Sequence, residues 1–449
     1  MDSAELDRRF RTHDGWIPPD VVAALVEHGH LAQVRAQAEQ GDWFCARAWA
    51  RTLSGDQRLE VLRPFADSGW WAAVETVAGL LEESGRSEEA IALVRPHAEA
   101  GDRLAVRGLA ELLAGQGRID EVIALLGPGV GDWYLEQALV DLTEGHGRDE
   151  EMLALLPVVE PECGCSRHWG DTVRTAGLRA RVLERMGRVD EAVTLLRAHV
   201  HRDNVTYGNA VEQLADVLAR HGRITDLRDL AAGYGGLDAA RRLAGLLEEE
   251  CPDEAVEVLR THAADGSPNA AWCTAELLRK HGRVDEAIEV LRAAARRGAD
   301  DWIIHELGEL LVGQGRADEA LAVVDDIAGR LRGDMGAELL LERVRLLAAC
   351  GRHGQAVAEL RAHPEADGWY MAKRLAELLA EAGRLDEAVA ELRPGIEDGR
   401  NRQLMAKLLI RQGRAEEAVT TARVTRPTTA TWGSTSDDAD DPWSTEPPF

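Results

Sequence analysis

A Gly-Arg dipeptide returns along the chain at Gly85, Gly117, Gly147, Gly187, Gly222, Gly282, Gly315, Gly351, Gly383 and Gly413, close to every 32 residues. An apolar stretch such as Leu109-Ala110-Glu111-Leu112-Leu113 precedes it, and an acidic start with alanine, such as Asp318-Glu319-Ala320, follows. A fixed period between about 20 and 50 residues is the mark of a stacked array, in which each unit touches only its neighbours. A length of 449 residues would otherwise suggest about three globular domains, and the period overrides that expectation.

One unit explains the rest. In residues 300–329, Ile303, Leu307, Leu310 and Leu311 recur at intervals of three and four, which is one face of a helix. Gly315 supplies the left-handed residue that commonly ends a helix. Asp318 and Glu319 then sit in the first turn of a second helix, where acids cap free amides and complement the dipole. Ala320, Leu321, Val323, Val324 and Ile327 form the second apolar stripe. Helices of roughly 12 residues are marginal alone, so each pair must bury its face against the next.

Small residues recur where two helices would meet. Seven positions before the loop glycine stand Ala78, Ala110, Ala180, Ala275, Gly308, Ala376 and Ala406. Five positions after it stand Ala90, Ala192, Ala287, Ala320, Ala356, Ala388 and Ala418. Leu307-Gly308, Leu311, Gly315, Ala320 and Val324 resemble the tetratricopeptide repeat, and the segments Ala98-x-x-Gly101-Asp102-x-x-Ala105 and Ala38-x-x-Gly41-Asp42-x-x-Cys45 are similar to the related Sel1-like repeat. The usual aromatic positions mostly carry Leu or Val, and the terminal proline is mostly absent.

Degenerate turns at His28-Gly29-His30, Ser54-Gly55-Asp56 and Cys251-Pro252 complete the array. From Gly29 to Gly413 the turn advances 384 residues in twelve steps, a mean of 32, so about 13 hairpins are expected. The reading is an all-α chain: an extension over 1–17, an α-solenoid over 18–424 with an insertion at 157–171, and a disordered tail over 425–449. The resemblance implies a right-handed superhelix with a concave inner groove. The tail has no helical period and is rich in proline and acid, a composition that cannot bury a core.

Charge narrows the partners. Against 79 acidic residues stand 52 basic ones, only three of them lysines, for a net −27. Duplex nucleic acid and anionic membranes reward basic excess, so neither is an expected partner. The start lacks the basic end and apolar core of a signal peptide, and no run of 18 apolar residues occurs. Six scattered cysteines do not make a disulfide framework. A reduced cytoplasmic setting is the simplest reading.

Candidate chemistry is sparse. Four of the 14 histidines (His28, His146, His221, His281) directly precede a loop glycine, and four more (His97, His199, His262, His363) fall near the end of second helices. Helix C-termini favour imidazolium and offer open carbonyls, so repeat position accounts for these eight without a function. In the insertion, Cys163, Cys165 and His168 give three soft ligands, with Asp171 as a possible fourth. Zinc sites want pairs two to four residues apart and a second pair elsewhere. A connecting loop is therefore favoured over a metal or redox site. No phosphate loop or nucleophile elbow occurs, and no cofactor is expected.

The resemblance places one acidic position in the groove: Glu111, Asp141, Asp216, Glu276, Glu309 and Glu377 occupy it. Neighbouring inner positions hold Trp272, Trp302, His305, Tyr370 and Lys373. Carboxylates beside aromatics suit a basic or aromatic peptide, although Ala-Glu-Leu-Leu is also ordinary solvated helix sequence. The Lys and Asn pattern with which this family clamps a C-terminal carboxylate is absent. Trp71, Trp133, Trp302 and Trp369 begin first helices and read as seals between hairpins. Trp432 and Trp443 lie in the tail as a docking motif, a modified segment or an inert end. The function expected is a non-catalytic scaffold for a protein or peptide; a ligand-responsive regulator is the alternative, and an enzyme or metal protein using 157–171 the third.

Overall fold

The computed structural model describes residues 2–423 apart from 159–165, 203–204, 207, 234–235, 299–300, 331–335, 365–367, 397–398 and 400. After a short helix, Ser3–Thr12, the described chain forms thirteen antiparallel helix pairs, from Pro19–Glu27 with Leu31–Glu39 (hairpin 1) to Arg402–Arg411 with Ala415–Ala422 (hairpin 13). The architecture is an all-α solenoid. Its departure from pure helix is a two-residue ladder, His201–Arg202 against Val205–Thr206, in the connection between hairpins 6 and 7.

The recurring turn has one geometry. In hairpin 9 (Pro268–Lys280 and Val284–Arg296), Gly282 has φ +72°. Its N–H donates to the Arg279 carbonyl at 3.0 Å, and that of Arg283 to the Leu278 carbonyl at 2.9 Å. This paired closure satisfies carbonyls that a helix end leaves open, and only a residue at ease with positive φ can sit there. The following arginine explains the acids. Arg283 grips Glu286 at 2.7 and 2.8 Å and reaches Asp253, in the preceding hairpin, at 2.7 Å. Arg316 does the same with Glu319 and Asp285, and Arg223 with Asp226 and Asp190. The acids at second-helix starts therefore hold the arginine; no side chain caps the amides of the helix that follows Arg283.

The small-residue positions are buried as the spacing requires: Ala110, Ala287, Ala320, Ala356, Ala376 and Ala406 all lie in one apolar core running from Leu6 to Ala422. A Cβ on Gly308 would come within 2.7 Å of Glu342 and 2.8 Å of Arg345 on the next hairpin. Most successive first helices touch one another, while second helices make no comparable contact with each other, so the first helices form the inner wall.

Both ends depart from a plain array. Residues 2–17 are folded onto hairpins 1 to 3: Leu6 is buried, Trp16 Nε1 donates to the Gly41 carbonyl at 3.0 Å, and Phe10 and Trp16 pack on Phe44 and Trp70. The Ile17 N–H donates to the buried Asp42 carboxylate at 2.7 Å. The helix Pro19–Glu27 also packs on Arg402–Arg411, so the array closes on itself. Lys407 pairs with Asp20 at 2.6 Å, and Arg423 donates to Gln37 and to Gln40.

Two outcomes follow from this packing. Ala320→Arg forces a long side chain into a close helix contact and costs about 1–3 kcal/mol or more, measured by urea unfolding. Arginine holds Glu286, Glu319 and Glu387 below the usual carboxylate range. A depressed folded pKa gives stability that is present above about pH 4.3 and lost as the pH falls through the folded value. Arg283→Ala therefore lowers the thermal midpoint at pH 7, and the loss shrinks as acid protonates Glu286.

Candidate protein-binding face

Position along the first helix decides which side chains line the inner wall, and the six acids of the repeat position all lie on first helices. None stands bare. Glu111 pairs with Arg107 at 2.8 Å, Glu276 with Arg279 at 2.5 Å and Glu377 with Arg374 at 3.2 Å, each within one helix. Asp141 pairs with Arg181 at 2.8 Å, Asp216 with Arg242 and Glu309 with Arg345, each on the next hairpin. The wall is a ladder of paired charge. Arg181 and Arg345 occupy the same repeat position as the acids, which is the signal a one-hairpin reading overlooks.

Hairpins 9 to 12 gather most of the expected residues. Trp272, Glu276 and Glu309 line a recess of about 540 Å³ with Arg279 and Glu306, and Trp272 Nε1 donates to Glu306 at 3.3 Å. Trp302, His305 and Tyr370 line a second recess, about 380 Å³, with Glu342 and Arg345. His305 Nδ1 lies 3.0 Å from Glu342, and Arg345 grips the same carboxylate. Burial works against charge on Glu342, yet Arg345 and His305 hold its carboxyl below the ordinary range. Lys373 is half-buried on the helix that carries Tyr370.

Among the described residues, the Phe, Trp and Tyr side chains left exposed are Trp272, Trp369 and Tyr370, at 36, 49 and 49 %. The last two meet edge to face, 5.6 Å apart. Trp369 thus stands open on this face. Trp71 behaves as a seal: a Cβ on Gly108 of the next hairpin would sit 3.1 Å from its ring. Glu111, Asp141 and Asp216 lie elsewhere on the wall, in hairpins 4, 5 and 7. Near Asp216 a smaller recess, about 230 Å³, is lined by Trp133, Arg174, Arg181 and Gln213, with Arg174 stacked over Trp133.

Histidines follow repeat position. His28 and His199 bond carbonyls of their own helices at 3.0 and 2.8 Å. His221 and His281 instead reach Glu184 and Glu248 of the preceding hairpin. Cys163 and Cys165 lie outside the described residues, as do Trp432 and Trp443, and the 425–449 tail with them. The insertion ends in helix: Ser166–Arg185 includes the backbone of His168. Among the described residues no group of three metal-ligating side chains assembles, and no helix is long and apolar enough to cross a membrane.

A family model described as tetratricopeptide repeat matches residues 173–198, 305–326, 374–394 and 404–423. Four of the hairpins therefore contain segments of the tetratricopeptide-repeat type, and the α-solenoid is built from repeats of that kind. Solved structures that the chain matches include a Naa15/Naa10 complex bound to HypK-THB (13 % identity, 89 % of this chain, 73 % of that one, TM-score 0.38). Another is the APC/C hetero-tetramer Cut9-Hcn1 (12 %, 90 and 94 %, 0.27). A third is a tetratricopeptide repeat protein from Parabacteroides merdae (14 %, 65 and 97 %, 0.27). No curated protein sequence matches the chain.

Because Glu342 is largely buried, removing its main partner leaves a charge without compensation. Arg345→Ala should cost about 1–3 kcal/mol at pH 7, and the loss should shrink as acid protonates Glu342, which denaturant titration at pH 7 and pH 4 checks.

Proposed function

We propose that the chain is a non-catalytic scaffold that holds a partner protein on the inner face of hairpins 9 to 12. The observation that carries this reading is the exposure of Trp272, Trp369 and Tyr370 where the other described aromatic rings are buried or half-buried. Exposed aromatics flanked by polar groups mark interaction sites, and Trp and Tyr dominate binding hot spots. Carboxylates alternate with the rings: Glu276, Glu306, Glu309 and Glu338 line the two recesses. A peptide segment with aromatic and basic side chains suits this surface, its cations placed over rings and beside carboxylates. The net charge of −27 speaks for the same sign of partner and against nucleic acid or anionic membrane. A cytoplasmic setting goes with the reading; Cys45, Cys251, Cys273 and Cys350 are free thiols.

The test is affinity capture from native lysate. Wild type should recover a protein in stoichiometric amount, and Trp369→Ser with Tyr370→Ser should lose about 2 kcal/mol or more of binding, roughly thirtyfold, with helicity unchanged. Charge reversal of Glu276, Glu309 and Glu377 together tests the acidic share. Equal capture by all variants would reject this face.

A further inference from the structure

The thirteen hairpins close a circle, yet the closing junction is built differently from the others. At each of the other twelve, the second helix of one hairpin packs along the first helix of the next. Where hairpin 13 meets hairpin 1, Ala415–Ala422 makes no comparable contact with Pro19–Glu27, and the first helices alone pack together. Polar contacts supply the remainder. Lys407 pairs with Asp20 at 2.6 Å, both about 40 % exposed. Arg423, after the last helix, donates to Gln37 and Gln40 at the end of hairpin 1's second helix. Its charge also acts on Asp42, whose buried carboxyl is pushed up by burial and drawn back in part by backbone donors and Arg423.

We infer that this junction is a gate: the ring opens between hairpins 13 and 1 to admit a folded partner to its inner face. Thirteen first helices spaced about 8–10 Å apart make a circle roughly 35–40 Å across, and helix thickness narrows the opening to about 25–30 Å. A globular domain of about 100 residues, with a radius of gyration near 13 Å, is wider than that. An extended segment passes through the closed ring; a folded domain of that size enters only when the ring opens. The other twelve junctions are continuous in the chain and this one is not, so it can part without unfolding a hairpin, and salt weakens its exposed ion pair. The binding role of the gate rests on the inner-face reading above, but the gate itself is read without any partner.

Carbodiimide coupling of the full chain reads it directly, because the reagent joins carboxylate to amine at ion-pair distance and only three lysines are present. The expected products in the monomer are a Lys407–Asp20 amide and, as a control within the array, a Lys280–Glu248 amide from the pair at 2.6 Å. Raising salt from about 0.05 M to about 1 M should lower the first relative to the second by roughly fivefold. Lys407→Glu with Arg423→Glu should enlarge the radius of gyration in small-angle scattering while circular dichroism and the Lys280–Glu248 product persist. The control product without Lys407–Asp20, or Lys407–Asp20 only in dimers, would overturn closure. A salt-independent ratio, or unchanged dimensions in the double variant, would overturn the gate.

Discussion

Everything in this molecule depends on one helix pair covering the apolar face of the next. The helices run mostly from 8 to 14 residues, lengths at which isolated helices are marginal in water. Their stability comes from tertiary burial, and burial at this spacing requires small residues at the contact. Ala287, Ala320 and Ala356 are almost wholly covered, and Gly308 stands where a methyl group would strike Glu342 and Arg345. The alanine periodicity and the solenoid are thus one fact seen at two scales.

The Gly-Arg dipeptide joins local turn to array. Glycine ends the first helix because the turn demands positive φ, and arginine follows because its fork can bind two acids at once. One acid belongs to its own hairpin and the other to the hairpin before, as Arg283 shows with Glu286 and Asp253. Exposed pairs are individually weak, so the fork selects register more than it adds stability. Arg86, Arg118, Arg148, Arg223, Arg283, Arg316 and Arg352 all reach back to the preceding hairpin, which makes the selection consistent along much of the chain.

Paired charge also shapes the inner wall. Because Glu111, Asp141, Asp216, Glu276, Glu309 and Glu377 all have arginine partners, none of these six is an open anion, and aromatic side chains supply the wall's distinct features. Trp272, Trp369 and Tyr370 are grouped on hairpins 9 and 12, with His305 and Glu342 between them. A partner reaching this surface meets rings first and must fit among existing ion pairs.

The sequence by itself determined the hairpin, its turn, the close-packing alanines and the number of units, thirteen expected and thirteen found. Those features are set by residues within one period, where helix spacing and glycine conformation leave little choice. The candidate face was half legible: Trp272, Trp302, His305 and Tyr370 could be named from repeat position, while Arg345 and Glu342 needed the neighbouring hairpin to be in place. Only the tertiary structure decided that the acids are paired, that residues 2–17 fold onto the first hairpins, and that Arg423 meets Gln37 across 386 residues of chain. Closure of that kind is the sum of small rotations at twelve junctions, and no single period contains it.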